Sequence, residues 1–149
     1  MRLYFDCCCY SRPFDNLSQS RVSCESQAIL SVIAEAIQNG SIILGSSILN
    51  YEIKNIKDLN KQFKISALYR AANMFIPLSD EIIELAEKIR SQTAIHLNDS
   101  LHIASAEIGQ ADFFFTTDDK LVKACKKINL NVQIMNPLDY YLEMIKNAN

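Results

Sequence analysis

The sequence predicts an α/β protein, a three-layer α/β/α sandwich around a parallel sheet of about five strands. Three observations predict it. Short apolar runs recur along the chain, and each is followed by sequence with helical spacing. Strands that alternate with helices in this way imply right-handed crossovers, hence parallel pairing with both faces covered. Hydrophobic residues make up 49% and charged residues 21% of 149 positions, with only 3 Gly and 3 Pro, a composition that suits one compact domain over residues 1–149 without long linkers.

Taken in order, the strands are Arg2 to Phe5, Ser41 to Gly45 (SIILG), Met74 to Leu78 (MFIPL), Asp112 to Thr116 (DFFFT) and Asn131 to Met135 (NVQIM). Between them Val22, Ile29, Ile33, Ala36 and Ile37 keep the spacing of a buried helix face, as do Ile82, Leu85, Ala86 and Ile89. Leu138, Tyr141, Leu142 and Ile145 repeat it near the C-terminus. No apolar run reaches the roughly 18 residues that span a bilayer, and the N-terminus lacks the basic-then-apolar layout of a signal peptide, so a cytoplasmic protein with no membrane partner is expected.

The five cysteines form a poor disulfide framework, three being contiguous (Cys7, Cys8, Cys9), with Cys24 and Cys125 far away. They supply no second pair at zinc-site spacing, and soft packing is the expected role of the triplet. The formal net charge of −2 excludes a globally basic nucleic-acid binder but leaves room for a local basic patch.

Ligands of such folds bind beyond the carboxyl ends of the strands. Asp6 ends the first strand, Glu52 follows the second by seven residues, Asp99 opens NDSLHIASAE, and Asp118 and Asp119 follow the fourth strand. Four segments thus deliver carboxylates to one rim, and Mg²⁺ or Mn²⁺ is the usual compensation for such clustering. Asp99 and Asp118 also stand where helices begin, where an acid caps free N–H groups without further function. Asp6 is harder to explain that way, because a carboxylate ending a central strand is costly to bury without a partner.

With these residues in view, the sequence resembles the PIN-domain nucleases over nearly its whole length: LYFD, SSILNYE, DSLHIASAE, and FFFTTDDKL with its T-x-D-x-x-L spacing. YFDCCCYSRPFD is similar to the opening of a prokaryotic branch in which cysteines and R-P-F-D follow the first aspartate; Cys7 and Cys8 stand where many relatives have a small Asn, Ser or Thr. The resemblance implies a Mg²⁺- or Mn²⁺-dependent ribonuclease, often the toxin of a VapC-type toxin–antitoxin pair, with an antitoxin protein as partner and a homodimer as common state. It assigns Asp6, Glu52, Asp99 and Asp118 as the acidic quartet holding the metal. Asp118 is preferred over Asp119 because the family's acid falls two residues after the Thr, here Thr116. Asp119, Thr116 and His102 are then expected around the quartet, with His102 either matching the family's D-x-x-H or packed so as to orient Asp99, on whose helix face it lies.

For a polyanionic substrate, Lys54, Lys57, Lys61 and Lys64 read as one stripe of a single helix whose apolar side is Ile53, Ile56 and Phe63, and Lys120, Lys123 and Lys127 as a second stripe. Arg12, Lys54, Lys57 and Lys120 are the candidate RNA contacts, against the plainer role of a solvated face. Arg21 is a further phosphate candidate. Glu25 shares a helix face with Val22, Ile29 and Val32, and is expected as a buried partner of Arg12 or Arg21. Two other readings stay open: a non-catalytic PIN-fold scaffold, and another Mg²⁺-dependent α/β phosphohydrolase, which a single acid followed by Cys-Cys-Cys after the first strand fits less well.

Overall fold

The computed structural model describes residues 1–148. Five strands, β1 (Arg2–Phe5), β2 (Ile42–Ser46), β3 (Met74–Ile76), β4 (Phe113–Phe115) and β5 (Gln133–Met135), form one sheet in the order β3-β2-β1-β4-β5. Every neighbouring pair is parallel. The helices are α1 (Cys7–Ser11), α2 (Ser20–Gln38), α3 (Ser47–Lys54), α4 (Leu59–Tyr69), α5 (Asp80–Gln92), α6 (Leu97–Ile108), α7 (Asp119–Cys125) and α8 (Pro137–Ala148), with a 3₁₀ turn at Arg12–Phe14. The α/β/α sandwich and its five parallel strands are as the sequence predicts. Among the described residues no helix is long and apolar enough to cross a membrane.

The two-residue period of a strand sorts the aromatic core into two layers. Phe113 and Phe115 point to one face, where both rings meet Tyr140 of α8, at 4.8 and 5.0 Å between centroids. Phe114 points to the other and stacks on Tyr4 at 5.3 Å, which in turn meets His102 of α6. A run of three phenylalanines is therefore what a strand covered on both sides requires. The same alternation puts Tyr4 and Asp6 on the α6 side of the sheet.

Helix ends follow from capping chemistry. α2 stops at Gly40, whose φ of 70° favours glycine, and Ser41 N–H closes back on Ala36 O at 2.9 Å. Ser46, Asp58 and Ser79 each cap the next helix through a side-chain oxygen. Some expectations need correction. Ile37 is 61% exposed, whereas Ala36 in the same last turn of α2 is buried, so the apolar spacing runs one residue past the covered face. Leu142 and Ile145 of α8 face outward as well, and Tyr140, Tyr141 and Met144 make the contact with the core.

Candidate active site

β1 lies between β2 and β4, so the residue after it sits in the middle of the sheet's carboxyl edge. That residue is Asp6, only 7% exposed. Its backbone N–H extends the ladder by donating to Phe115 O at 2.9 Å, and its carboxylate caps α1, Oδ1 accepting Cys7 N–H at 2.7 Å. Oδ2 accepts the Thr116 hydroxyl at 3.0 Å and is approached by the Cys8 thiol at 3.6 Å. These donors meet part of the desolvation cost of the buried charge.

His102, fully buried on α6, reaches the same place from the next layer. Its Nδ1 lies 2.6 Å from the Tyr4 hydroxyl, which lies 2.7 Å from Ser46 Oγ. Its Nε2 hydrogen-bonds Glu52 Oε1 of α3 and lies 3.7 Å from Asp6 Oδ1. One consistent direction of donation runs from Ser46 to Tyr4 to Nδ1, leaving Nε2–H for Glu52. Burial pulls the His102 pKa down, but the bond to Glu52 and the fields of Asp6, Glu52 and Asp99 outweigh it, so the net shift is upward.

Asp99 precedes His102 by three residues, nearly one turn of α6, and is half-buried. Burial raises its pKa, and the field of Asp6 raises it further; His102 opposes this, while Asp118 and Glu52 add to the rise. All four predicted acids are therefore electrostatically coupled. Asp118 caps α7, its Oδ1 accepting from Lys120 N and Leu121 N at 3.0 and 3.2 Å. Its own N–H donates to Thr116 Oγ1 at 3.2 Å, so one hydroxyl links Asp6 to the turn that carries Asp118. Asp99 and Asp118 share a cleft of about 230 Å³ with Ile95, His96, Lys120 and Leu121.

The ligand atoms of Asp6, Glu52 and His102 all lie within 4.8 Å of one another. With Nε2–H given to Glu52, the imidazole serves as a hydrogen-bond partner, and the two carboxylates, with further like charge on Asp99 and Asp118 nearby, form an oxygen donor set suited to a hard divalent cation.

The basic residues fall differently from the expectation of a single lysine helix. α3 ends at Lys54, and Asp58 starts α4 by accepting Asn60 and Lys61 N–H, so Lys57 lies in the connection between two helices. Phe63 is 71% exposed rather than buried, and Lys61 pairs with Asp15 at 2.8 Å. Lys120 does line the acidic cleft. Asp119 turns outward, where Arg21 donates to both its oxygens at 2.8 and 2.9 Å; that bond comes first in lowering its pKa. Arg12 is engaged with Asp15, Glu25 and Thr117 instead of standing free. Glu25 pairs with both arginines, not one.

Sequence reasoning missed Tyr4 and Ser46, and expected only soft packing of Cys8. Tyr4 could have been found from the strand period, since it shares a face with Asp6 two residues on. Cys8 does more than pack: its Sγ lies against Asp6, against Thr116 Oγ1 at 3.5 Å, and accepts Thr117 N–H at 3.4 Å.

A parallel sheet in this strand order, with carboxylates gathered at its carboxyl edge, defines a class of α/β proteins with a cation-ready acidic site. The PIN-domain family model matches residues 28–127, about two thirds of the chain, and the chain belongs to that family. No curated protein matches it in sequence. Among solved structures it is similar in fold to VapBC2 from Rickettsia felis bound to a DNA fragment from their promoter, at 16% identity and a TM-score of 0.65, covering 91% of this chain and 98% of that one. A toxin–antitoxin complex from Klebsiella pneumoniae is similar at 19% identity and a TM-score of 0.56, with 91% and 97% covered.

Proposed function

We propose that the protein is an endoribonuclease dependent on Mg²⁺ or Mn²⁺, the toxin of a toxin–antitoxin pair acting in the cytoplasm. The observation that carries the reading is the meeting of Asp6, Glu52 and His102 ligand atoms within 4.8 Å at the sheet's carboxyl edge, with Asp99 in their field. The similar solved folds, described as a VapBC2 complex and a toxin–antitoxin complex, support an antitoxin protein as partner. A homodimer is proposed on the family resemblance.

In this reading Asp6 and Glu52 hold the cation, and Asp99 and Asp118 complete its surroundings or bind its waters. When bound, the ion would supply positive charge to the phosphate oxygens and make a water acidic enough to attack phosphorus. Thr116 and Cys8 fix the direction of Asp6 Oδ2. Tyr4 fixes the His102 ring, which keeps Glu52 turned inward. Lys120, at the mouth of the Asp99–Asp118 cleft, offsets the repulsion between an RNA phosphate and the acids.

The test is labelled RNA incubated with the protein and Mg²⁺ or Mn²⁺, beside Asp6→Asn and Asp99→Asn variants. Cleavage that needs the metal and disappears in both variants is expected. Absence of cleavage on several RNAs, or equal cutting by both variants, would end the nuclease reading.

A further inference from the structure

Glu25 of α2 is 1% exposed and lies away from the acidic quartet, yet its carboxylate collects side chains from three parts of the chain. Arg12 Nε pairs with Oε1 at 3.3 Å as an ion pair without hydrogen-bond alignment, Arg21 Nε donates to Oε2 at 3.3 Å, and Asn136, just past β5, donates Nδ2–H to Oε2 at 2.6 Å. Both guanidinium groups then continue to the turn between β4 and α7. Arg12 Nη2 donates to the Thr117 hydroxyl at 2.9 Å, and Arg21 Nη2 donates to the Thr117 carbonyl at 3.2 Å. The remaining polar group of Thr117, its N–H, is taken by Cys8 Sγ at 3.4 Å. Every polar group of Thr117 is thus held by a side chain from residues 8–21. Its neighbours in sequence are Thr116, which donates to Asp6, and Asp118 itself.

We propose that Glu25 is a positioning residue: through Arg12 and Arg21 it clamps the β4–α7 turn and so fixes Asp118 relative to Asp6. Its functional half rests on the metal-dependent nuclease reading. A buried ion pair is a weak source of net stability, and apolar replacements often do as well, so what this arrangement adds is orientation. The guanidinium suits the task because its planar fork serves a carboxylate on one edge and the turn on another. Arg12, with its side chain only 22% exposed and three partners inside the protein, works in the clamp and not on a substrate phosphate.

The experiment uses the full chain with Glu25→Gln, Arg12→Ala, Arg12→Lys and Thr117→Val, the last removing one clamp bond while leaving both arginines. Three readouts are taken: amide exchange over residues 117–121, Mn²⁺ affinity by EPR, and kcat and KM on RNA. Glu25→Gln and Arg12→Ala are expected to speed exchange at those amides and to weaken Mn²⁺ binding about tenfold, the usual cost of losing an outer partner of a metal site. kcat is expected to fall with KM little changed, and Thr117→Val to act in the same direction by less. Millimolar guanidinium restores Arg12→Ala, and Arg12→Lys, which keeps the charge without the fork, stays impaired. Unchanged exchange and Mn²⁺ affinity in Thr117→Val together with Arg12→Ala overturns the clamp, as does a rise in KM with kcat and exchange intact. If Glu25→Gln fails to fold, the Thr117→Val comparison decides alone. A protein that shows the exchange and Mn²⁺ effects but cuts no RNA keeps the clamp and loses the nuclease reading.

Discussion

Replacing Tyr4 by Phe removes one oxygen from the centre of the protein and leaves the ring in place. The stacking on Phe114 at 5.3 Å survives, so the loss is confined to two hydrogen bonds, 2.6 Å to His102 Nδ1 and 2.7 Å to Ser46 Oγ. His102 and Ser46 are 1% and 0% exposed, so water does not replace the missing partner. Each stranded polar group costs about 1–3 kcal/mol, part of which is recovered because the tyrosine hydroxyl no longer needs desolvating; a net loss of about 2–3 kcal/mol follows. For a chain of this size that lowers Tm by about 5–10 °C. The assay is thermal unfolding of the metal-free protein, with urea unfolding to confirm an unchanged m-value. Tyr10→Phe is the control: its hydroxyl is buried with no hydrogen-bond partner among the described residues, so that change is expected to be neutral or stabilising by about 1 kcal/mol. A Tm for Tyr4→Phe equal to wild type, or a loss no larger than that of Tyr10→Phe, would refute the Ser46–Tyr4–His102 chain.

Three further outcomes follow from the structure. Gly45→Ala places a Cβ 2.6 Å from the Tyr69 hydroxyl, which donates to Asn50 Oδ1 at 2.7 Å and accepts from Ser46 N–H at 3.1 Å; the forced displacement is expected to cost about 1–3 kcal/mol in urea unfolding. Asp99 has a raised pKa from burial and neighbouring acids, so its protonation favours the metal-free fold: that stability is fully present below its unfolded pKa and is lost as pH rises through the folded one. Metal-free Asp99→Asn should therefore unfold at a higher temperature than wild type at pH 7, with the gap closing in acid; a gap that persists or widens at low pH refutes the coupling. Burial pushes the Cys7 and Cys125 thiols up to about 12 and about 11, whereas Cys24 is exposed. Iodoacetamide at pH 7.5 followed by peptide mass spectrometry should find Cys24 labelled and Cys7, Cys9 and Cys125 protected until the protein is unfolded.

The fold was legible because its signals are local. Apolar runs of strand length, helix faces and a helix-opening acid such as Asp118 are read within a dozen residues, and strict alternation leaves few topologies. The acids were legible for a related reason: each stands just past a strand or in the first turns of a helix, places the sequence already marks. What stayed hidden depends on partners far along the chain. Nothing near Tyr4 announces His102, 98 residues on, and nothing near Thr117 announces that Arg12 and Arg21 will close on it. The lysine stripe misled because 100° spacing continues smoothly through Asn55 to Asp58, while the backbone stops α3 and restarts at the Asp58 cap. Leu142 and Ile145 misled in the same way, since periodicity finds an apolar face without saying which neighbour covers it.

The place of β1 in the sheet also bears on the protein's synthesis. β1 is made before both strands that flank it, β2 and β4, and Asp6 waits for Thr116 and Asp118 to be made. A nascent or truncated chain lacking β4 holds its first acid beside an open strand edge and has no assembled site. In the proposed nuclease, this order delays assembly of the acidic site until the β4–α7 turn has been made.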